Sequence, residues 1–320
     1  MLEPTGHDRD ELLRAAVAAP SMHNTQPWKF RFAGCVIEVH RDRDRELPAE
    51  DPDRRMLHLS LGAAVFNLRV AAAQLAYGAV VRSVLDRARP DLVAEVELTV
   101  GGAEAEQLHR LAPSIWRRRT NRQPYADQPV PADVRRLLDL TAGLEGADLQ
   151  WLDDEARRTW VNLATADAGQ EDDRSLARSQ ERRLWVGGAR AVDGVPISAL
   201  GPRPDRPDAP VRDMAATPAE ANRPAATFER NPQLAIVATR RDGPAEWLRA
   251  GQAMERVLLE ATASGLSTSL LNQAIEHDAL RWLLHEPVGV WTRPQAIIRF
   301  GYGPAVPVTP RRPISDVLLP

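Results

Sequence analysis

Three clusters of side chains in this chain have the types and spacing to hold a ligand. The first is Ala19-Pro20-Ser21-Met22-His23-Asn24-Thr25-Gln26-Pro27-Trp28. Pro20 and Pro27 bracket a polar loop, and each restricts the residue before it to extended backbone. Between them Ser21, His23, Asn24 and Gln26 offer short polar side chains and a run of backbone amides, a surface suited to hydrogen-bonding a flat heterocycle. The second cluster is Trp116-Arg117-Arg118-Arg119-Thr120-Asn121-Arg122. Guanidinium groups bind phosphate bidentately, and a threonine hydroxyl adds a contact. Taken alone, the same cluster also reads as a solvated basic turn. The third is Gly301-Tyr302-Gly303-Pro304, followed by Pro310-Arg311-Arg312-Pro313. Prolines stiffen this tail, so its two arginines can hold a fixed geometry; in a free tail they would be solvated.

Other chemistries leave little trace. There is no GxGxxG or Walker loop for a dinucleotide or a P-loop, and no HExxH for a metal. Gly265-Leu266-Ser267-Thr268-Ser269 lacks the second glycine of a nucleophile elbow. His277 and His285 flank a helical stretch and read as surface or capping residues. No acid–base pair stands out, which favours a bound cofactor that carries the chemistry. Cys35 is the only cysteine, so no intrachain disulfide forms; it reads as a half-buried hydrophobe in a hairpin between Phe32 and Val36. A net charge of −3 sets up no global field toward nucleic acid or anionic membrane. The arginine cluster has no aromatic interleaving, so nucleic acid is not the expected partner. No apolar run approaches the length of a membrane span, and the N-terminus lacks a signal-peptide pattern. The expected location is cytoplasmic.

The elements that must position these clusters alternate between helix and strand. A short apolar-periodic helix (Leu12, Leu13, Ala16, Val17) precedes the polar loop, and a strand follows from Phe30. Arg55 to Tyr77 is apolar almost all round, the signature of a buried central helix, with Gly78 placed to stop it. Val80 to Leu85 and Ala94 to Val100 read as strands. Val134 to Leu140 reads as an amphipathic helix, Leu149 to Leu152 as a strand, and Glu155 to Trp185 as one or two exposed helices. Leu234 to Thr239 is an apolar strand, Trp247 to Ser264 a second long helix stopped by Gly265, and Gln295 to Phe300 a final strand.

The two long helices share a pattern: Gly62-x-Ala64-x-x-x-Leu68-x-x-x-Ala72 matches Gly251-x-Ala253-x-x-x-Val257-x-x-x-Ala261. Small residues at this spacing allow close helix approach. Either two alanine-rich helices match by chance, or the chain holds two copies of one unit whose long helices pack as a pseudo-dimer core. Residues 187–232 carry eight prolines, from Pro196 to Pro232, Pro207 among them. So long an excursion is a disordered insert or a functional lid; Val195, Ile197, Leu200, Met214 and Phe228 are the candidate anchors of a lid.

The three clusters, in this order, resemble motifs of the nitroreductase family. Pro20-Ser21-x-His23-Asn24-x-Gln26-Pro27-Trp28 looks like its flavin-edge loop. Arg118-Arg119-Thr120-x-Arg122 looks like its Arg-Arg-Ser-x-Arg motif, with threonine in place of serine. Gly301-Tyr302 and Pro310-Arg311-Arg312-Pro313 look like its phosphate-binding tail. The loop preceding the arginines is similar to the Acg-like branch, in which two fused repeats form an internal pseudo-dimer with a lid. The resemblance implies an α+β nitroreductase-like fold with an N-terminal repeat over residues 1–107 and a C-terminal repeat over 108–320, the latter carrying a lid near 187–232. It implies one FMN per chain, held by Ser21, His23, Asn24, Gln26, Arg118, Arg119, Thr120, Arg122, Arg311 and Arg312. Leu271 and Asn272 stand where many members place a Pro-x-Glu-Gly segment beside the flavin, so their amides are expected to face the ring. The implied activity is reduction of FMN by NAD(P)H and its reoxidation by a nitroaromatic or quinone-like acceptor, in a monomer or homodimer. A non-catalytic FMN binder, its flavin covered by the lid, is the alternative.

Overall fold

The computed structural model describes residues 3–206, 209–215, 217–284 and 292–320. Helix α1 (Gly6–Val17) and the hairpin β1 (Trp28–Ala33) and β2 (Val36–Arg41) lead into α2 (Arg55–Gln74), then β3 (Tyr77–Ser83) and β4 (Leu92–Val100). Helices α3 (Ala103–His109) and α4 (Ala112–Arg117) carry the chain to α5 (Ala132–Leu144) and β5 (Asp148–Trp151). An excursion follows through α6 (Glu155–Arg174), α7 (Leu176–Trp185), β6 (Arg203–Pro204), α8 (Pro218–Ala221) and β7 (Ala225–Ala226). The remainder is β8 (Gln233–Thr239), α9 (Pro244–Ala263), β9 (Ser267–Leu270), α10 (Gln273–Glu276), α11 (Asp278–Leu283), β10 (Arg293–Gly301) and α12 (Ile314–Val317).

Two antiparallel four-stranded sheets have the orders β1-β2-β4-β3 and β5-β8-β10-β9. Each runs first, second, fourth, third in its own chain order, with a long helix between its second and third strands. Helices α2 and α9 pack on these sheets and on each other. Both are 20 residues long, and Gly62 and Gly251 each take the eighth place. A Cβ on Gly62 would overlap the Leu248 carbonyl oxygen and fall 2.9 Å from the Gly251 Cα; a Cβ on Gly251 would overlap the Leu59 carbonyl and fall 2.9 Å from the Gly62 Cα. The backbones touch there, and only glycine permits it. The apolar core is continuous across the two helices, from Phe66 and Val70 to Val257 and Leu259.

The long helix ends earlier than the sequence predicts. Ala76 adopts a left-handed φ of 64° and closes α2, as Gly265 with φ 79° closes α9. Ala76 follows Gly62 at the same separation as Gly265 follows Gly251, so the two helices correspond more closely than Gly78 suggested. Gly78 lies inside β3, where a Cβ would meet the Thr99 Oγ1 at 2.6 Å and the Val100 carbonyl oxygen at 2.8 Å. At the other end, the Asp51 carboxylate accepts from the Met56 and Leu57 amides and caps the first turn of α2. Contrary to the run-length expectation, α2 is long and apolar enough to cross a membrane, but its apolar window is entirely buried inside the protein. Glu155 to Trp185 resolves into two helices broken at Ser175, whose hydroxyl accepts from the Arg178 amide. The expected 107/108 boundary falls within α3.

Two crossings tie the sheets together. Leu319 donates its amide to the Phe30 carbonyl at 2.7 Å, and Leu318 bridges Phe30 in parallel, so the tail lies along β1. Thr120 bridges Thr268 in parallel and extends the other sheet beyond β9.

The described residues of the proline-rich segment pack through two small apolar clusters. Val195, Leu200 and Met214 form a buried cluster with Val186, and Phe228 packs with Ala209 and Val211. Ile197, an expected anchor, is exposed. Arg299 of β10 lies 3.7 Å from the Tyr125 ring centroid and 5.4 Å from that of Phe228, and its Nη2 donates to Glu229 at 2.6 Å. Pro207 lies outside the described residues, as do Asp208, Ala216 and His285.

Candidate functional site

The polar loop is held in an unusual conformation. His23, Asn24 and Gln26 have φ of 47°, 55° and 52°, three left-handed non-glycine residues within four positions. Each costs on the order of 1–3 kcal/mol and persists only where its surroundings dictate it. Those surroundings come from far along the chain. Asn24 Nδ2 donates to the Gly194 carbonyl at 2.9 Å and to the Pro310 carbonyl at 3.0 Å, and its Oδ1 accepts from Arg311 at 3.1 Å. Gln26 Nε2 donates to the Val192 carbonyl at 2.9 Å, and its Oε1 accepts from the Arg312 amide at 2.8 Å. Ser21 Oγ accepts from the Gln26 amide at 2.9 Å. The His23 Nε2 pairs with the Glu50 carboxylate, both buried.

Two neighbouring voids meet at this loop. The larger, about 730 Å³ with its mouth included, is lined by Met56, Leu59 and Ser60 of α2, Met254 of α9, and Leu270 and Asn272 beyond β9, with Val211, Arg212 and Met214 covering it. The second, about 640 Å³, is lined by Asn24, Arg118, Arg119, Thr309 and Arg311, with Val195, Ser198 and Ala199 opposite. Pro20, Ser21, His23, Thr120 and Arg122 line both voids. The proline-rich segment supplies one wall of each.

The second void is strongly positive. Arg311 donates to the Ala18 carbonyl at 3.1 Å and the Thr309 hydroxyl at 2.7 Å, and Arg119 donates to the Arg118 carbonyl at 2.7 Å. The carboxylate facing these groups is Glu255 of α9, fully buried, 3.5 Å from the Arg118 Nε. Burial, then the charges of Arg118 and Arg119, push Arg311 down to about 9. Burial and Arg118 also lower Arg119. Burial pushes the Glu255 carboxyl up to about 7, against the pull of Arg118 and Arg311. Among the described residues neither Glu255 oxygen has a hydrogen-bond partner, nor does the Arg311 Nε. Arg118, Arg119 and Arg311 together line this void and form a cradle for a doubly charged anion. Burial, then Arg212, holds Arg122 down at about 10; its Nη1 donates to the Ala199 carbonyl at 3.1 Å.

Of the expected site residues, Ser21, His23, Asn24, Arg118, Arg119, Thr120, Arg122, Asn272 and Arg311 line the voids. Three do not. Gln26 is fully buried and stitches the loop to the tail and to Val192. Leu271 is packed in the core beside Leu234 and Ile297, and its amide is spent on the Ile297 carbonyl at 2.9 Å. Arg312 turns away from both voids. It donates to Asp42 at 3.0 Å and to the Gln26 carbonyl at 3.0 Å, so it is a tether whose charge is already matched. The sequence reading also missed Glu50, Arg212 and Glu255. Arg212 donates to Asp172 at 2.7 Å and to Glu276 at 3.2 Å, and faces Glu50 at 3.4 Å. His277 takes the N-cap position of α11, as expected, and its ring also joins this network through Asp172 at 2.8 Å. Glu255 is one of three glutamates in α9, with Glu246 and Glu260, so the sequence does not single it out, and it gives no signal for Glu50 or Arg212 either.

No family model matches the chain. Curated relatives do. The Mycobacterium tuberculosis protein named "Putative NAD(P)H nitroreductase Rv3131" is 33% identical over 320 residues, covering 96% of this chain and 90% of the relative. "Putative NAD(P)H nitroreductase acg" of the same organism is 31% identical over 313 residues, covering 95% and 93%. The chain belongs to the nitroreductase family, in its Acg-like branch. Among solved structures, a nitroreductase-like family protein from Bacillus cereus is 17% identical, covering 64% of this chain and 92% of its own, with a TM-score of 0.38. A Bacteroides fragilis nitroreductase with bound FMN is 15% identical, covering 63% and 93%, also with a TM-score of 0.38.

Proposed function

We propose that this nitroreductase-family chain is an FMN-dependent oxidoreductase that draws electrons from NAD(P)H and delivers them to an electron-poor acceptor such as a nitroaromatic or a quinone. The observation that carries the reading is the arginine cradle of Arg118, Arg119 and Arg311, which opens beside an apolar void at the contact of α2 and α9. The names of the curated relatives and the FMN-bound neighbour agree with it. A phosphate in the cradle would receive charge-assisted hydrogen bonds, each contributing roughly 1.5–3 kcal/mol. The void beside it offers Met56, Leu59, Met254 and Leu270 as apolar side chains against which a ring system would pack, among polar neighbours.

When bound, FMN would supply hydride acceptance and donation. The chain would do the rest. Arg118, Arg119 and Arg311 would hold the phosphate, and Thr120 and Arg122, which line both voids, would hold the linker between phosphate and ring. Ser21, His23 and Asn24 would orient the ring edge, and the proline-rich segment would act as a lid that excludes water. In the same reading the two sheets and their long helices are fused repeats, so one chain builds the site that a dimer interface would otherwise provide.

The cover over both voids favours one competing reading. Arg212, in that cover, is tied to Asp172, Glu276 and Glu50 beneath it, and such a lid could deny a nicotinamide access. The chain would then store or sense FMN without turnover. Rapid mixing with NADH or NADPH separates the two. Bleaching of the flavin absorbance by either nicotinamide supports the oxidoreductase; no bleaching leaves the binder. A purified protein without visible flavin absorbance, and unable to take up added FMN, refutes both.

A further inference from the structure

We propose that His23 donates the proton that the acceptor needs as it is reduced, with Glu50 as its positioning partner. The assignment rests on the oxidoreductase reading. Reduction of a quinone by hydride leaves an alkoxide-like oxygen that must be protonated, so a donor has to reach the void where the acceptor lies. Titratable lining groups of the two voids are His23, Arg118, Arg119, Arg122, Arg212, Glu276 and Arg311. The arginines hold their protons far too tightly to act as donors near neutral pH. Glu276 is matched by Arg212 at 3.2 Å. Ser60 spends its hydroxyl proton on the Met56 carbonyl at 2.7 Å. His23 is left, and histidine is the side chain most often placed as a general acid.

Its placement fits the task. The ring borders both voids, Nε2 is anchored on Glu50, and Nδ1 has no protein partner among the described residues. Glu50 is itself fixed. Its amide donates to Glu181 at 2.8 Å, Arg212 faces its carboxylate, and the Arg178 Nη2 donates to its carbonyl at 3.4 Å. Burial opposes ionisation of Glu50, but His23, then Arg212 and Arg182, keep its carboxyl below the ordinary range. A carboxylate on one ring nitrogen fixes the orientation of the imidazolium and aims the other N–H into the void. The backbone strain at His23 is maintained by the tail and by Gly194 through its neighbour Asn24.

The step balances as follows. A quinone takes hydride, two electrons and one hydrogen nucleus, from the anionic reduced flavin. Its oxygen forms an O–H bond as the His23 Nδ1–H bond breaks. The products are the neutral hydroquinone, oxidised flavin and neutral imidazole, which recovers its proton from solvent.

The test compares wild type with His23→Gln and Glu50→Gln in holoprotein reduced beforehand with dithionite. Reoxidation is followed with a benzoquinone, which takes up protons, and with ferricyanide, which takes electrons alone. General acid catalysis is worth on the order of 10²–10⁴-fold, so H23Q should reoxidise with benzoquinone about a hundredfold more slowly. With ferricyanide any slowing should be at least about tenfold smaller than with benzoquinone. E50Q, which keeps the imidazole and loosens it, should lose about tenfold with benzoquinone only. One readout stands apart from turnover, and all rates are taken at saturating FMN so that a lost ring contact at His23 is not read as slowed reoxidation. Binding of 4-nitrophenolate to the oxidised holoprotein, read from its visible absorbance, should weaken in H23Q. Equal slowing with both acceptors, or no slowing with benzoquinone, overturns the assignment while the oxidoreductase reading stands. Wild-type protein that takes up no FMN overturns both.

Discussion

Arg311 and Arg312 are adjacent in sequence and face different surroundings. Arg311 looks into the cradle with Arg118 and Arg119; Arg312 is matched by Asp42 and ties the tail to the loop. Their alanine variants should therefore separate. Arg311→Ala should raise the FMN dissociation constant about tenfold to a hundredfold, the equivalent of one lost charge-assisted hydrogen bond, beyond any loss of stability from its bonds to Ala18, Asn24 and Thr309. Arg312→Ala breaks a buried pair, which typically costs about 3–5 kcal/mol, and should lower the melting temperature of flavin-free protein. Glu255 gives a pH signature. Its carboxyl is raised from an ordinary value of 4.5 to about 7 by burial. A group shifted in this sense favours the folded state when protonated, so its contribution is intact below about pH 4.5 and is lost as pH rises through 7. Flavin-free protein should lose up to about 3 kcal/mol between pH 4.5 and 8 from this group, and Glu255→Gln should flatten that slope in urea unfolding at a series of pH values. The sequence reading named most of the void-lining residues because motif spacing survives in the chain. It could not tell Arg311 from Arg312, because only the fold decides which of two adjacent guanidinium groups meets Asp42.

At the level of elements, the matched pattern of the two long helices was legible and the residue that closes the first was not. Glycine at matched positions of two apolar helices pointed to close approach, and the contact of Gly62 with Gly251 accounts for it. Gly62→Ala would force its Cβ into the Leu248 carbonyl, part the helices, and widen the void walled by Leu59 and Met254. Overpacking of this kind costs typically 1–3 kcal/mol or more, so the variant should melt lower and bind FMN more weakly, as read by thermal unfolding and flavin fluorescence. Gly78 misled because glycine serves two purposes. Here it admits Thr99 and Val100 at close range inside a sheet, while Ala76 takes the left-handed turn. The left-handed run at His23, Asn24 and Gln26 was invisible for a related reason: local propensity disfavours it, and only partners at Val192, Gly194 and Pro310 to Arg312 impose it.

Across the whole molecule, the proline-rich segment, the polar loop and the tail converge on one pair of voids. A ligand bound there should stabilise all three together. FMN at a hundredfold excess over its dissociation constant should add about 2.7 kcal/mol and raise the melting temperature accordingly. It should also slow proteolytic cutting within residues 187–232, as followed by mass spectrometry of the fragments. This convergence was the least legible level, since composition alone left the segment as either insert or lid. The hydrogen bond from Arg311 to Asn24 joins residues 287 positions apart. During synthesis the loop therefore leaves the ribosome long before its guanidinium partner has been translated. The cradle cannot assemble until the segment carrying Arg311 has been made, so chains truncated before it should retain no flavin, as read by visible absorbance after purification.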